Sequence, residues 1–380
     1  MANKMKAIRV LNVTTVFKAA GIESFIMNMY RNMDREKVQF DFMVMRDEKE
    51  YYDDEIRKLG GKKYIIQKES KNILVRVLKE SKALYTFLKM HPYQIVHIHY
   101  TTPLRAFYAL AAKKAGVKVI VYHSHSAAVS GKSFLKRLLY SILRKCIEDW
   151  ATDYFACSEV AAEWMFSRKL ISDGKAKVVY NGIDVKRFRF SKSARNAVRN
   201  ELGLSNEFAI IHTGRFLEHK NHKFILEVFQ KVKMKQQDAR LLLLGTGDLF
   251  DKVKNYADKL NILDSVYFLG VHSDVERYLS AADCYIMPSL YEGLPVAAVE
   301  AECSGLPCYL STNITKEVEL TDAVKFMDLS QSAEEWADEI LSCRNIIRKD
   351  KSEMVAQKGY DVHEEAKKLQ SFYEDAMMRN

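Results

Sequence analysis

The chain has 380 residues, of which 48% are hydrophobic and 28% charged, and a formal net charge of +10. That length is generous for one domain and comfortable for two, while no apolar run approaches the roughly 18 residues that a membrane-spanning helix needs. The charge calls for an anionic partner. With no zinc-finger spacing, aromatic RNA-binding strand or basic zipper in the sequence, nucleic acid is set aside in favour of a phosphorylated small molecule or an acidic bilayer.

Residues 1–13 are too short and too interrupted for a signal peptide and read as a buried first strand, so the expected location is the cytoplasm. Six cysteines without C-x-x-C or metal-ligand spacing are expected to be reduced thiols. Short β-branched runs then alternate with amphipathic stretches, the pattern of α/β sheets with parallel strands. Strands are expected at 8–13, 40–44, 63–66, 95–99, 117–122, 154–157 and 177–180, and a second series at 209–213, 239–244, 266–269, 284–287 and 308–310. Two doubly wound sheets are implied. The polar segment 189–207 marks the break, giving domains 1–190 and 191–360 and a final helix at 361–380.

The first strand runs into a loop containing Ala20, Gly21 and Glu23, a candidate acceptor or phosphate contact; Ile22, Phe25, Ile26, Met29 and Tyr30 then mark one face of a helix. His97 and His99 end one strand, and His123 and His125 follow another. Histidines at i, i+2 suit zinc, but no nearby cluster completes a set, so no metal is expected. One of them at a strand tip suits a hydrogen bond to a sugar or work on a proton, with plain packing as the competing role. Segment 132–145 carries five cations and no acid on an amphipathic repeat. It suits an anionic membrane surface and a core-packed helix about equally.

In the second half, the strand at 209–213 runs into Gly214 and Arg215, with Lys220 five residues on and a helix beginning near Phe224. Arg supplies a planar fork of donors and Lys a point charge, a combination suited to a diphosphate beyond a strand tip. Gly245 and Gly247 close the next strand, where a glycine pair lets backbone approach a ligand or simply makes a tight turn. Pro295 is placed at the first position of a helix, which puts Glu292 in the entering loop and Glu300 on the helix. The two carboxylates then lie too far apart to share one bond and suit opposite ends of an elongated ligand. The amides of Gly293 and Leu294 at the same helix start suit anionic or hydroxyl oxygens.

Taken together, Ala20-Gly21-Ile22-Glu23, Asn181-Gly182-Ile183-Asp184, Gly214-Arg215 with Lys220-Asn221, Gly245-Thr246-Gly247 and Ser289-Leu290-Tyr291-Glu292-Gly293-Leu294-Pro295 through Glu300 resemble the retaining family-four glycosyltransferases, in particular their capsular and exopolysaccharide branch. The resemblance implies the α/β GT-B fold, two Rossmann-like doubly wound domains facing a central cleft, with the acceptor bound by the first and the nucleotide-sugar donor by the second. It assigns Arg215 and Lys220 to the donor diphosphate, Glu292 with Gly293, Leu294 and Pro295 to the donor sugar, Glu300 to the ribose and the Gly270-Val271 region to the base, with Gly214 and Gly245 in the same donor site. His123 or His125 would reach the transferred sugar. The implied reaction moves a sugar from a nucleotide donor, expected to be a UDP-sugar, to a hydroxyl of a lipid-linked or saccharide acceptor, with retention and without metal or other cofactor. The enzyme would sit in the cytoplasm, at most peripheral on the inner face of the plasma membrane. A sugar-nucleotide epimerase and a non-catalytic partner subunit share the same architecture. Ala20 departs from the family's usual pair of adjacent glycines, where an extra methyl would restrict a left-handed backbone.

Overall fold

The computed structural model describes residues 7–17, 21–46, 51–125 and 134–379. The chain forms two units: Met1–Gly182 together with Val362–Asn380, and Ile183–Asp361. The crossing falls at the Asn181-Gly182 turn, ahead of the polar segment 189–207.

The first unit is built on a seven-stranded parallel sheet of β1 Ile8–Val13, β2 Val38–Val44, β3 Lys63–Ile65, β4 Ile95–Tyr100, β5 Val119–Ser124, β6 Asp153–Ala156 and β7 Ala176–Val178. Their spatial order is β3-β2-β1-β4-β5-β6-β7, so the winding reverses between β1 and β4. Strands buried on both faces are near-continuous apolar runs, and β2 tests that rule because every residue in Val38–Val44 is buried, Asp41 included. Asp41 accepts from Arg9 Nε (2.6 Å), Tyr93 Oη (2.7 Å) and the Lys62 amide (2.8 Å), so its charge is matched inside the sheet.

Helix Gly21–Asn32 packs on one face with Phe25, Ile26, Met29 and Tyr30 inward. The final helix, Val362–Met378, packs beside it and sends Leu369 and Tyr373 into the same core. On the other face lie helices Ile73–Met90, Ala106–Ala115 and Phe134–Trp150.

The second unit has six parallel strands, β8 Ala209–Thr213, β9 Arg240–Leu244, β10 Val266–Gly270, β11 Cys284–Met287, β12 Cys308–Ser311 and β13 Val324–Met327, ordered β10-β9-β8-β11-β12-β13. Here the winding reverses between β8 and β11. In open parallel sheets ligands bind beyond the carboxyl ends of strands at such reversals. The sequence misses β13, a four-residue edge strand with Lys325 exposed and only Met327 buried, which shows no apolar run.

Candidate functional site

In the second unit the loops after β8 and β11 are tied together by backbone. The Leu290 amide donates to the His219 carbonyl (2.7 Å), and Asn221 Nδ2 donates to the Pro288 carbonyl (3.1 Å). Asn221 takes a left-handed backbone, φ 57°, between the short turn Glu218–Lys220 and helix His222–Lys235; Asn tolerates that region better than most residues. From below, Ser311 Oγ donates to the Ser289 carbonyl (2.6 Å) and Asn313 Nδ2 to the Leu290 carbonyl (3.1 Å).

This scaffold brings Lys220 Nζ to 2.6 Å from Glu292 Oε1, with each side chain 14% exposed. The His219 ring stacks on Tyr291 at 5.1 Å, and its Nε2 lies 3.9 Å from the same carboxylate oxygen. His219, Ser311 and Asn313 were not singled out from the sequence, and Tyr291 was quoted there only as part of a motif, because their roles depend on loops distant in the chain.

Pro295 caps the following helix rather than opening it. The helix runs Val296–Cys303, and the Pro295 carbonyl accepts from the Ala298 amide (3.0 Å). Ala298, Val299 and Ala301 are fully buried, the close packing that small side chains allow. Glu300 is half-buried on this helix; burial raises its pKa to about 8, with Arg187 opposing the shift and Glu276 adding to it. Gly293 is exposed, and a Cβ there would meet nothing within 4 Å.

The glycine pair after β9 serves the protein's own backbone. A Cβ on Gly245 (φ 133°) would lie 2.0 Å from the Gly214 carbonyl oxygen, and one on Gly247 (φ 159°) 2.7 Å from that of Phe216. Phe216 N–H donates to Thr246 O (3.0 Å), and Gly245 N–H to Gly270 O (2.7 Å), so the tips of β8, β9 and β10 are knitted together. Gly214, Arg215, Gly245, Gly270 and the 76%-exposed Val271 therefore share one rim.

In the first unit, Ala20 lies outside the described residues. Gly21 opens helix Gly21–Asn32 and Glu23 is buried in its first turn, which corrects the expected placement of both in a loop. The expectation that no histidine cluster forms is also corrected. β4 and β5 pair in parallel with His99 opposite His123, and ligand atoms of His97, His99 and His123 lie within 4.8 Å of one another.

The four rings form two stacked layers. His97 Nε2 meets His123 Nδ1 (3.1 Å), His99 Nδ1 meets His125 Nε2 (2.9 Å), and the layers are 4.0 to 4.1 Å apart by ring centroid. Nitrogens that face each other within a layer share a proton, and near-parallel stacked rings cannot aim their in-plane lone pairs at one ion. Hydrogen bonding is therefore the better fit to these residues than a metal. Tyr373 Oη holds His97 Nδ1 (2.6 Å) and Asn12 Oδ1 holds His99 Nε2 (3.0 Å). Burial lowers the pKa of His97, His99 and His123 well below the usual value and that of His125 to about 3, so all four are neutral. His123 is fully buried, whereas His125 is half-exposed at the strand tip with Phe25 against its ring at 5.2 Å.

The basic segment 132–145 is described from Phe134, its first two residues lying outside the described set. Helix Phe134–Trp150 buries Tyr140, Leu143 and Ile147 but leaves Phe134, Leu135, Leu138 and Ile142 at least half-exposed. Among the described residues, no helix is long and apolar enough to cross a membrane.

Comparison with known proteins agrees with this arrangement. Residues 19–187 match the model of Glycosyltransferase Family 4, and residues 194–362 that of Glycosyl transferases group 1. The chain is 35% identical over 96% of its length, and 96% of the other, to EpsF of Bacillus subtilis (strain 168), a protein named as a glycosyltransferase. It is 26% identical, over 82% of its length and 81% of the other, to the Escherichia coli UDP-Gal:alpha-D-GlcNAc-diphosphoundecaprenol alpha-1,3-galactosyltransferase. Among solved structures it is similar to Anabaena HepE in complex with UDP (TM-score 0.70, 17% identity, 98% of this chain and 97% of that one). It is also similar to a glycosyltransferase from Rickettsia africae (TM-score 0.77, 18% identity, 98% and 100%). Two reversing parallel sheets, the knitted strand tips of the second unit and a relative matched along nearly the whole length make this chain a member of the family-four glycosyltransferases, with the GT-B fold.

Proposed function

We propose that this glycosyltransferase acts in polysaccharide assembly, moving a sugar from a UDP-sugar to a hydroxyl of a lipid-linked or saccharide acceptor with retention of anomeric configuration and without a metal ion. The observation that carries the donor assignment is the convergence of Lys220 and Glu292 at 2.6 Å on two loops fastened by backbone. A cation and an acceptor carboxylate held side by side can grip the diphosphate and a sugar hydroxyl of one donor. Lys220 and Arg215 would stabilise charge on the departing diphosphate, the task other transferases give to a metal held by Asp-x-Asp, a motif absent from this sequence. Retention requires the hydroxyl to attack on the face the diphosphate leaves, and the attacking proton then passes to that leaving group. Glu300 fits the ribose, and the exposed Val271 fits the base.

The relatives' names support the donor and acceptor classes: the Escherichia coli enzyme takes a UDP-sugar and a diphosphate-linked lipid, HepE binds UDP, and a Staphylococcus aureus relative, 23% identical over 96% of this chain, is named for capsular polysaccharide biosynthesis. A lipid acceptor also suits helix Phe134–Trp150, whose exposed Phe134, Leu135 and Leu138 lie among Lys136, Arg137 and Lys145, the pattern of a surface that rests on anionic lipid.

The test is a screen of UDP-sugars for thermal stabilisation, followed by product analysis with the stabilising donor. Slow hydrolysis to the α-configured free sugar in EDTA supports the proposal. An epimerised nucleotide sugar from donor alone, or no binding of any nucleotide sugar, would overturn it.

A further inference from the structure

A cavity of about 510 Å³ opens in the first unit among the loops that follow β1, β2, β3 and β4. Thr15 lies just beyond β1, and Arg105 ends the short turn Pro103–Arg105 after β4, so the cavity spans the point where the winding of this sheet reverses. Open parallel sheets bind ligands at that place. The loops of Lys220 and Glu292 stand at the equivalent reversal of the second unit, between β8 and β11.

Five cations line the cavity, Arg46, Lys68, Lys71, Arg76 and Arg105, with two carboxylates, exposed Glu69 and buried Glu80. Glu80 Oε2 accepts from Arg105 Nη1 (2.6 Å) and Tyr108 Oη (2.6 Å), and its Oε1 lies 3.9 Å from Arg76 Nε. Arg105 is 7% exposed and further held over the Tyr100 and Tyr108 rings. One buried carboxylate thus fixes two guanidinium groups at the cavity wall. Among the described residues Arg105 hydrogen-bonds through Nη1 alone, and Arg76 Nε is buried without a hydrogen-bond partner. No carboxylate among the described residues pairs with Arg46, Lys68 or Lys71.

A buried guanidinium N–H without an acceptor is costly unless a ligand supplies one. The surplus of cations exceeds what a single carboxylate neutralises and suits a phosphoryl group, whose oxygens match a guanidinium fork beside lysines. The remaining lining is Thr15, Gln67 and Ser70, with Met45 the one apolar side chain. Such walls suit hydroxyl groups and give a hydrocarbon nothing to rest on.

We infer that this cavity binds a phosphoryl group borne by a saccharide, with the phosphate oxygens on Lys68, Lys71, Arg76 and Arg105 and the sugar hydroxyls toward Thr15 and Ser70. The inference deepens the proposed transfer to an acceptor and rests on it: an acceptor sugar carrying phosphate would be held in the first unit by that phosphate. It moves the expected phosphate contact from Gly21 and Glu23 to these cations.

The experiment is calorimetric titration of the full chain, saturated with UDP so that the donor site is filled, with glucose 1-phosphate, inorganic phosphate and glucuronate. Three variants accompany it: Lys68→Glu with Lys71→Glu, Arg76→Ala, and Lys114→Glu with Lys118→Glu. The last pair is exposed at the opposite end of the sheet, before β5, and makes the same change in charge. Glucose 1-phosphate is expected to bind at least about tenfold tighter than either other probe. The first two variants should weaken it at least about tenfold, and the Lys114, Lys118 pair less than about twofold. UDP affinity and melting temperature should stay unchanged in all three. Inorganic phosphate binding as tightly as the sugar phosphate would make this a free-phosphate site and overturn the saccharide assignment. Glucuronate binding as tightly would overturn the phosphoryl assignment, and equal losses in the two lysine pairs would overturn the site itself. Failure of the donor reading would appear separately, as loss of UDP binding by the unaltered chain.

Discussion

Lys220 Nζ and Glu292 Oε1 are each other's counter-ion at 2.6 Å, although 72 residues separate them in sequence. Removing either leaves the other with altered charge in a confined site. Lys220→Ala is expected to lower kcat by ~10²–10³, the usual cost of losing one donor aimed at developing charge, and Glu292→Gln to lower it by about 10² because the carboxylate that accepts from the sugar and holds Lys220 in place is lost. The double variant should be barely worse than Lys220→Ala, since residues that act as a unit are not additive. Steady-state kinetics on all three checks this; additive losses would mean the two act independently.

Gly245 and Gly293 should respond oppositely to the same substitution. Gly245→Ala drives a Cβ into the Gly214 carbonyl oxygen at a left-handed φ of 133° and is expected to cost about 3 kcal/mol or more, or to prevent folding. Gly293→Ala meets no atom within 4 Å and should change stability by less than about 0.5 kcal/mol while weakening donor binding. Denaturant midpoints and UDP-sugar titrations separate the two.

The histidine layers define their own tautomers. The Asn12 side-chain oxygen only accepts, so His99 must present N–H at Nε2 and a bare Nδ1. That nitrogen then accepts from His125 Nε2, which leaves His125 Nδ1 unprotonated at the strand tip, ready to accept from a hydroxyl. Imidazole nitrogen shifts by NMR should report this tautomer for His99 and His125 between pH 5 and 8. Asn12→Ala should mix the tautomers and Asn12→Asp should preserve them. A bare Nε2 on His99 in the unaltered protein would refute the chain of bonds.

Glu300, with its pKa raised to about 8 by burial, holds a proton at neutral pH. Ribose hydroxyls donating to it would favour the charged form and lower that pKa. UDP binding at pH 7 is therefore expected to release close to one proton. Calorimetry in buffers of different ionisation enthalpy measures the release, and Glu300→Gln should abolish it.

The buried histidines and buried Glu302 should tie stability to pH in opposite directions. The four histidines have folded-state pKa values below the unfolded value of about 6.5, so the unfolded chain binds more protons there and stability drops as pH falls below that value. Fully buried Glu302 is the reverse case. Its pKa is raised to about 8 by burial, even though Oε2 accepts from the Leu320 amide, the Thr321 amide and Thr321 Oγ1. The folded state then holds the extra proton, and stability is lost as pH rises from about 4.5 toward 8. Glu302→Gln should remove about 2 kcal/mol of that loss, as read from urea midpoints at pH 5 and 8.

Much of the fold was legible because buried parallel strands leave continuous apolar runs: β1, β8 and β11 fall where the residues place them. β13 did not announce itself, since an edge strand with Lys325 outward has no such run. The Lys220 and Glu292 positions were legible as loop residues at strand tips, but not their pairing, which depends on Asn221 and His219 fastening the two loops. Gly245 and Gly247 read equally as a ligand-facing or a plain tight turn, because the neighbours that decide it, Gly214 and Phe216, lie far back in sequence. The histidine cluster escaped for a similar reason: i, i+2 spacing gives two residues on one face of a strand, and only the β4–β5 register brings the second pair alongside.

Tyr373 reaches His97 from the final helix, Val362–Met378. During synthesis the first unit therefore emerges with its histidine layers exposed on one side and lacking this hydroxyl, and it waits while the whole of Ile183–Asp361 is made. Because Ile183 and Asp361 pair as a parallel bridge, the chain returns to the place it left. Residues 362–378 thus finish a unit that residues 8–178 began, and a chain cut short at residue 361 would carry an intact second unit and an unfinished first one.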